Sequence, residues 1–247
     1  MNSTYRTKLT SKDLYVLASL LKKEFIVGVE GLTLVQEIPF QREGISFVVR
    51  SLEERGLIKY DLNGILKVDP TIRYVIDMIS DPKKVGMLHE RGGQKKKQVE
   101  YRFYDKAGTV SLVRDPQAGC YEISVGEAVS PEEDIKSLSE SYTGGRTLAF
   151  KENILLEELM LVKDYIKEFR EADGREYLKR TVHNGASLDV IMDILRGRGE
   201  TIVVRQYDRK GYRLELEGIF ILAESGGYGV KMNCEDNVIV EISIYGT

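Results

Sequence analysis

An α+β fold is predicted, with a central antiparallel sheet, two flanking helical bundles and a pseudo-twofold relation between the halves. Three observations predict it. Helical hydrophobic spacing gives way to period-two alternation, and the same change happens again further along the chain. A ten-residue segment recurs at a fixed offset of 103 residues. The 247 residues are 42% hydrophobic and 30% charged, ordinary for a globular protein that buries a core of its own. The expected halves are 1–129 and 130–247, each with helices first and a strand meander after, together one integrated domain.

Thr10, with Asp13 three positions on, starts the first helix as a capping box. Leu14, Leu17, Ala18, Leu21 and Phe25 give that helix one apolar stripe. An irregular stretch ends near Ile38-Pro39-Phe40. Ile45, Val48, Val49 and Leu52 mark a second helix, closed by Gly56. Residues 59–68 read as a hairpin turning at Asn63-Gly64. Asp69 caps a third helix with Pro70 in its first turn, and Asp81-Pro82 stops it. Strands are expected at 85–90, 99–104, 109–114 and 120–125, with a basic connection from Gly92 to Gln98.

Ser130-Pro131 opens the second helical block, and Gly144-Gly145 ends its first helix. The longest helix is expected over about 151–172, where Leu155, Leu159, Val162, Ile166 and Phe169 form a seam spaced 4, 3, 4 and 3. Residues 177–182 continue the block, and Ser187 is expected to cap a last helix ended by Gly197. Strands are expected at 201–207, 212–217, 218–223, 228–232 and 238–245. The repeat that suggests duplication aligns Val99–Gly108 with Ile202–Gly211: Arg, Tyr, Asp and Gly recur, and Lys106 faces Arg209.

The composition excludes several functions. Thirty-six basic against 39 acidic residues leave −3, without the basic excess of a dedicated nucleic-acid binder. Cys120 and Cys234 are too few for a disulfide framework, and with His89 and His183 they form no zinc motif. No nucleophile elbow, phosphate loop or dinucleotide fingerprint is present. The carboxylate pairs at Glu132-Glu133 and Glu157-Glu158 have no acid–base partner at a meaningful spacing. No enzyme, metal or cofactor is expected. Leu14 to Leu21 is too short to span a bilayer, so no membrane insertion is expected and the location read is cytoplasmic. Charge is uneven: a local +5 over 83–106 and a local −5 over 122–140, a pair of surfaces able to steer a protein partner.

Two functional readings follow. Residues 9–68 could be a winged helix of a DNA-binding regulator, because Glu54-Arg55-Gly56-Leu57-Ile58 leads from a helix into a hairpin. The candidate recognition helix, however, mixes Arg42 and Arg50 with Glu43, Glu53 and Glu54, and the wing has no basic tip.

The second reading rests on resemblance. Leu9-Thr10, Leu14 and Leu17, then Ile38-Pro39-Phe40, Leu52–Ile58, Val68-Asp69-Pro70 and Ile79–Val85 resemble the EspG family of type VII (ESX) secretion chaperones. The likeness covers about residues 9–129. It implies a cytosolic, non-catalytic adaptor that binds the apolar tip of a secreted helical-hairpin protein, WXG/LXG or PE/PPE-like, until export. In the family the contact involves the central sheet and the C-terminal bundle. Gly218–Ala223 is apolar on both faces, as a strand between two helical layers would be. Phe220, Leu222 and Tyr228 are therefore the expected groove residues, with Lys95, Lys96 and Lys97 on a loop at its edge.

Overall fold

In the computed structural model, residues 3–23, 26–29, 42–82, 84–91, 98–115, 117–198, 200–210, 213–234, 236 and 238–246 are described. The chain is α+β. It opens with β1 (Ser3–Thr10), α1 (Ser11–Leu20), α2 (Arg42–Glu54), β2 (Ile58–Tyr60), β3 (Leu66–Val68) and α3 (Pro70–Ser80). The strands β4 (Lys84–Arg91), β5 (Gln98–Asp105), β6 (Gly108–Asp115) and β7 (Cys120–Gly126) follow, then α4 (Pro131–Thr143) and β8 (Thr147–Leu155). Three helices come next: α5 (Leu156–Lys167), α6 (Glu171–Leu178) and α7 (Gly185–Leu195). The chain closes with β9 (Glu200–Lys210), β10 (Arg213–Ser225), β11 (Tyr228–Cys234) and β12 (Ile239–Gly246). Two compact units emerge, one of residues 1–85 and 100–129, the other of 86–99 and 130–247.

In the first unit, local chemistry sets the helix ends. Thr10 Oγ1 accepts from the Asp13 backbone N–H at 3.1 Å, and Asp13 Oδ2 accepts from the Thr10 N–H at 2.9 Å, so two orphan donors are satisfied at once. Asp69 Oδ1 accepts from the N–H groups of Thr71 and Ile72, and Pro70 supplies the preset φ of a first turn. Asp61 Oδ1 accepts from Asn63 and Ile65, both at 2.9 Å, folding the β2–β3 turn around Gly64. The strand order is β1-β7-β6-β5. Leu9, Phe103, Leu112 and Ile123 lie on one sheet face and are fully buried, as are Leu14 and Leu17 of α1 and Ile72, Ile76 and Ile79 of α3.

The second unit orders its strands β4-β9-β10-β11-β12-β8. Its main core joins Ile154, Leu159, Val162, Leu178, Leu188, Ile191 and Met192 to Val230, Met232, Ile242 and Ile244 of the sheet. The first strand of each unit's helical block pairs with the last strand of its meander: β1 with β7, and β8 with β12. One order, first-last-inward, thus recurs as β1-β7-β6-β5 and β8-β12-β11-β10.

Several sequence expectations need correction. Residues 151–172 are not one helix. Their first part is β8, paired with β12 through contacts such as Ile154 with Val240 and Phe150 with Ile244. Leu148, Phe150, Glu152 and Ile154 satisfy a period of two as well, and the ladder with β12 settles the competition. Beyond α5, Phe169 takes φ +61 and is 97% exposed, so it ends the seam rather than extending it. The strand β1 was not expected; its polar Ser-Thr-Tyr-Arg-Thr-Lys run gives little alternation to read. The two strands expected at 212–217 and 218–223 are one, β10, with a bulge between Leu216 and Gly218 instead of a turn. The cap of α7 is Asn184, whose Oδ1 accepts from Ala186 and Ser187, while the Ser187 hydroxyl is buried without a hydrogen-bond partner. Finally, the segments aligned at the 103-residue offset lie on β5 and β9, which hold different places in the two meanders. Strand order equates β5 with β10, so that match reflects similar hairpins. Phe25 and Ile38-Pro39-Phe40 lie outside the described residues.

Candidate partner-binding groove

The strand β10 is the centre of the candidate site because both its faces are apolar and each meets a different layer. Ile219, Ile221 and Ala223 pack on the core shared with α5 and α7. Phe220 and Leu222 point the other way, to a smaller cluster with Val204, Ile202 and the α4 residues Ile135, Leu138 and Tyr142. The expected strand between two helical layers is therefore present.

Two grooves flank it within the second unit. On the α4 side a cleft of about 450 Å³ lies between the helix and β9–β11, floored by Val204 and Phe220. Glu132, Lys136 and Glu140 line its helix wall; Glu217, Lys231 and Asn233 line the sheet wall. Lys231 Nζ stands 5.1 Å from the Phe220 ring centroid, a cation–π contact that covers the ring. At its far end α4 comes very close to the sheet: a Cβ on Gly229 would lie 2.1 Å from the Tyr142 carbonyl oxygen. Arg146 secures this contact, donating to Tyr142 O and to Glu224 Oε1, each at 2.7 Å.

The opposite groove, about 160 Å³, opens between α5, α7 and the sheet. Its lining is almost wholly apolar and includes Leu159, Met160, Ile194, Ile219, Ile221 and Met232. Met160 is 49% exposed at the rim. The start of α5 is fixed by the Leu156 N–H donating to Val238 O at 2.8 Å. Arg196, at the end of α7, donates to Glu171 at the start of α6 and to Asp193 of its own helix, and these bonds raise its affinity for its proton. The groove is thus a preformed apolar slot with adaptable methionine walls.

The residues proposed from sequence divide among these places. Phe220 and Leu222 come together beneath α4, but Leu222 is fully enclosed and Phe220 only 6% exposed. Tyr228 is half-buried against the opposite face, on the α5–α7 side. Lys95, Lys96 and Lys97 lie outside the described residues. Met160, Ile219, Ile221 and Met232 were not singled out from sequence. One signal existed: Leu159-Met160-Leu161-Val162 puts four consecutive apolar residues on a helix, more than a single buried face accommodates. The wing of the DNA-binding reading displays Leu62 and Ile65, both exposed. Among the described residues, no helix is long and apolar enough to cross a membrane, and no group of three His, Cys, Asp or Glu could hold a metal ion.

The element order and sheet order define an α+β fold. A solved structure of the Mycobacterium tuberculosis type VII secretion system chaperone EspG5, in complex with a PE25-PPE41 dimer, matches this chain with a TM-score of 0.69 at 14% identity. The match covers 96% of this chain and 90% of that one, so the two share their fold nearly end to end. No family model matches the sequence, and no curated protein does either.

Proposed function

We propose that this chain is a non-catalytic chaperone or adaptor of type VII secretion, acting in the cytosol on a secreted helical-hairpin protein of the PE/PPE or WXG/LXG kind. The observation that carries the reading is the end-to-end fold likeness to a chaperone solved in complex with a PE25-PPE41 dimer. The apolar slot beside α5 and α7 supports it. A helical hairpin awaiting export exposes apolar side chains at its tip, and a slot lined by leucine, isoleucine and methionine can cover them. Each well-buried aliphatic side chain would contribute roughly 1.5–3 kcal/mol before ordering costs.

Met160, Ile219 and Ile221 are the proposed principal contacts. Phe220 is proposed as a second contact at the floor of the α4 cleft, with Leu222 supporting it from behind and Tyr228 supporting the slot. Lys95, Lys96 and Lys97 stay proposed as a basic edge. The shared strand order supports reading 1–129 and 130–247 as copies of one ancestral unit.

Co-expression with a small helical export protein encoded beside this chain tests the function. Co-elution as one complex on size exclusion is expected. Salt-sensitive retention on DNA, with no such complex, would favour the regulator reading instead.

A further inference from the structure

The turn after α5 holds an aromatic ring where the folded chain gains nothing from it. The Phe169 N–H donates to Ile166 O at 3.2 Å and the Arg170 N–H to Tyr165 O at 2.8 Å, the bond pair of a Schellman end. That end requires a left-handed residue, usually glycine, because a Cβ there strains the backbone. Phe169 fills the position at φ +61, and with the residue 97% exposed no packing offsets the strain. The same turn after α1 carries Lys22 at φ +57, a side chain suited to water. At Phe169 both the strain and the exposed ring ask for a cover that the single chain does not supply.

The same unit carries an apolar hole. A cavity of about 150 Å³ with aliphatic walls holds a benzene ring, and the slot beside α5 and α7 has about 160 Å³ between leucine, isoleucine and methionine walls. Its rim residue Met160 precedes Phe169 by nine positions, about 13 Å along the helix axis. Phe169 does not reach its own slot across that length, but a second copy can present it. Two α5 helices packed antiparallel about a twofold axis near residues 164 and 165 set each Phe169 at the other's Met160. The contact then forms twice and closes on itself, so assembly stops at two. Leu161, 39% exposed on α5, is covered by the same packing.

We propose that the slot of the chain on its own is filled by Phe169 of a second copy, in a twofold dimer built on α5. The inference goes beyond the chaperone reading and does not need it, since ring and slot both leave water in the dimer whatever else the slot binds. Under the chaperone reading, the dimer is the resting form, and an arriving apolar tip competes with Phe169.

The test uses the full chain alone. Analytical ultracentrifugation from micromolar to sub-millimolar concentration is expected to show a reversible monomer–dimer equilibrium. Phe169→Gly removes two buried rings per dimer and should weaken association by roughly a hundredfold. The same change relieves the left-handed strain, so the Tm of dilute protein should rise by about 2–4 °C, which separates lost association from lost folding. Met160→Lys on the exposed rim should weaken the dimer as well, with little further loss when the two changes are combined. Benzophenone at position 169 should crosslink to residues 156–163 or 194–203 of a second copy. A chain that stays monomeric throughout, assembly beyond dimers, a dimer that Phe169→Gly leaves intact, or crosslinks that map outside the slot overturns the inference. Each of those results leaves co-elution with an export protein, the test of the chaperone reading, to be decided on its own.

Discussion

Arg55 Nη1 donates to the buried carboxylate of Asp13 at 3.0 Å, so the end of α2 is locked to the start of α1. Arg55 also donates to the Lys8 carbonyl. The arginine of Glu54-Arg55-Gly56-Leu57 is therefore a clamp between elements. Asp13 serves twice, as the reciprocal half of the Thr10 capping box and as the partner of this guanidinium. Arg55→Met leaves a buried charge short of its partner and should cost about 2 kcal/mol. Urea denaturation checks this, and pairing it with Asp13→Asn should show a coupling between the two sites.

The α7 start separates two neighbours that sequence reading confuses. Asn184→Ala removes the cap and should destabilise by about 1 kcal/mol. Ser187→Ala should cost nothing or stabilise slightly, because its buried hydroxyl has no partner to lose. Thermal melts of the two variants give the comparison directly.

Gly229 is required for the seating of α4 and not for a special backbone angle. Gly229→Ala places a methyl against the Tyr142 carbonyl oxygen and should cost roughly 1–3 kcal/mol through overpacking. Hydrogen exchange should rise at the α4 amides more than at those of α7.

The β2–β3 hairpin should weaken in acid. Asp61 is held below an ordinary aspartate by its bond from the Ile65 N–H, then by Lys67 and by Asn63. Its contribution is present above the unfolded aspartate range and fades as pH falls through the lower folded value. Amide shifts of Asn63 and Ile65 should follow one titration below the usual aspartate range.

Legibility followed locality. Asp69-Pro70 and Asn63-Gly64 dictate their own structure within four residues, and both elements form where the spacing places them. The strand β8 is different. Its residues fit a helical seam and a strand equally, and its ladder partner β12 lies far along the chain. The same limit applies to the groove. Apolar residues at 219–223 announce a strand buried on both faces, but the openings, a cleft beside α4 on one face and the α5–α7 slot on the other, are shaped by packing. Which side chains a partner could reach is decided by packing, so Phe220 and Leu222 stand out in the sequence while Met160 and Ile221 emerge only in the fold.

Site-specific photo-crosslinking tests the proposed role of the slot most directly. A benzophenone side chain is placed at Met160 on the slot rim or at exposed Phe47 of α2, in the chain co-expressed with the helical export protein proposed as its partner. The account predicts crosslinks from position 160 to the partner's hairpin tip and none from position 47. Crosslinks from 47 alone, or from 160 to a part of the partner remote from its tip, would contradict it.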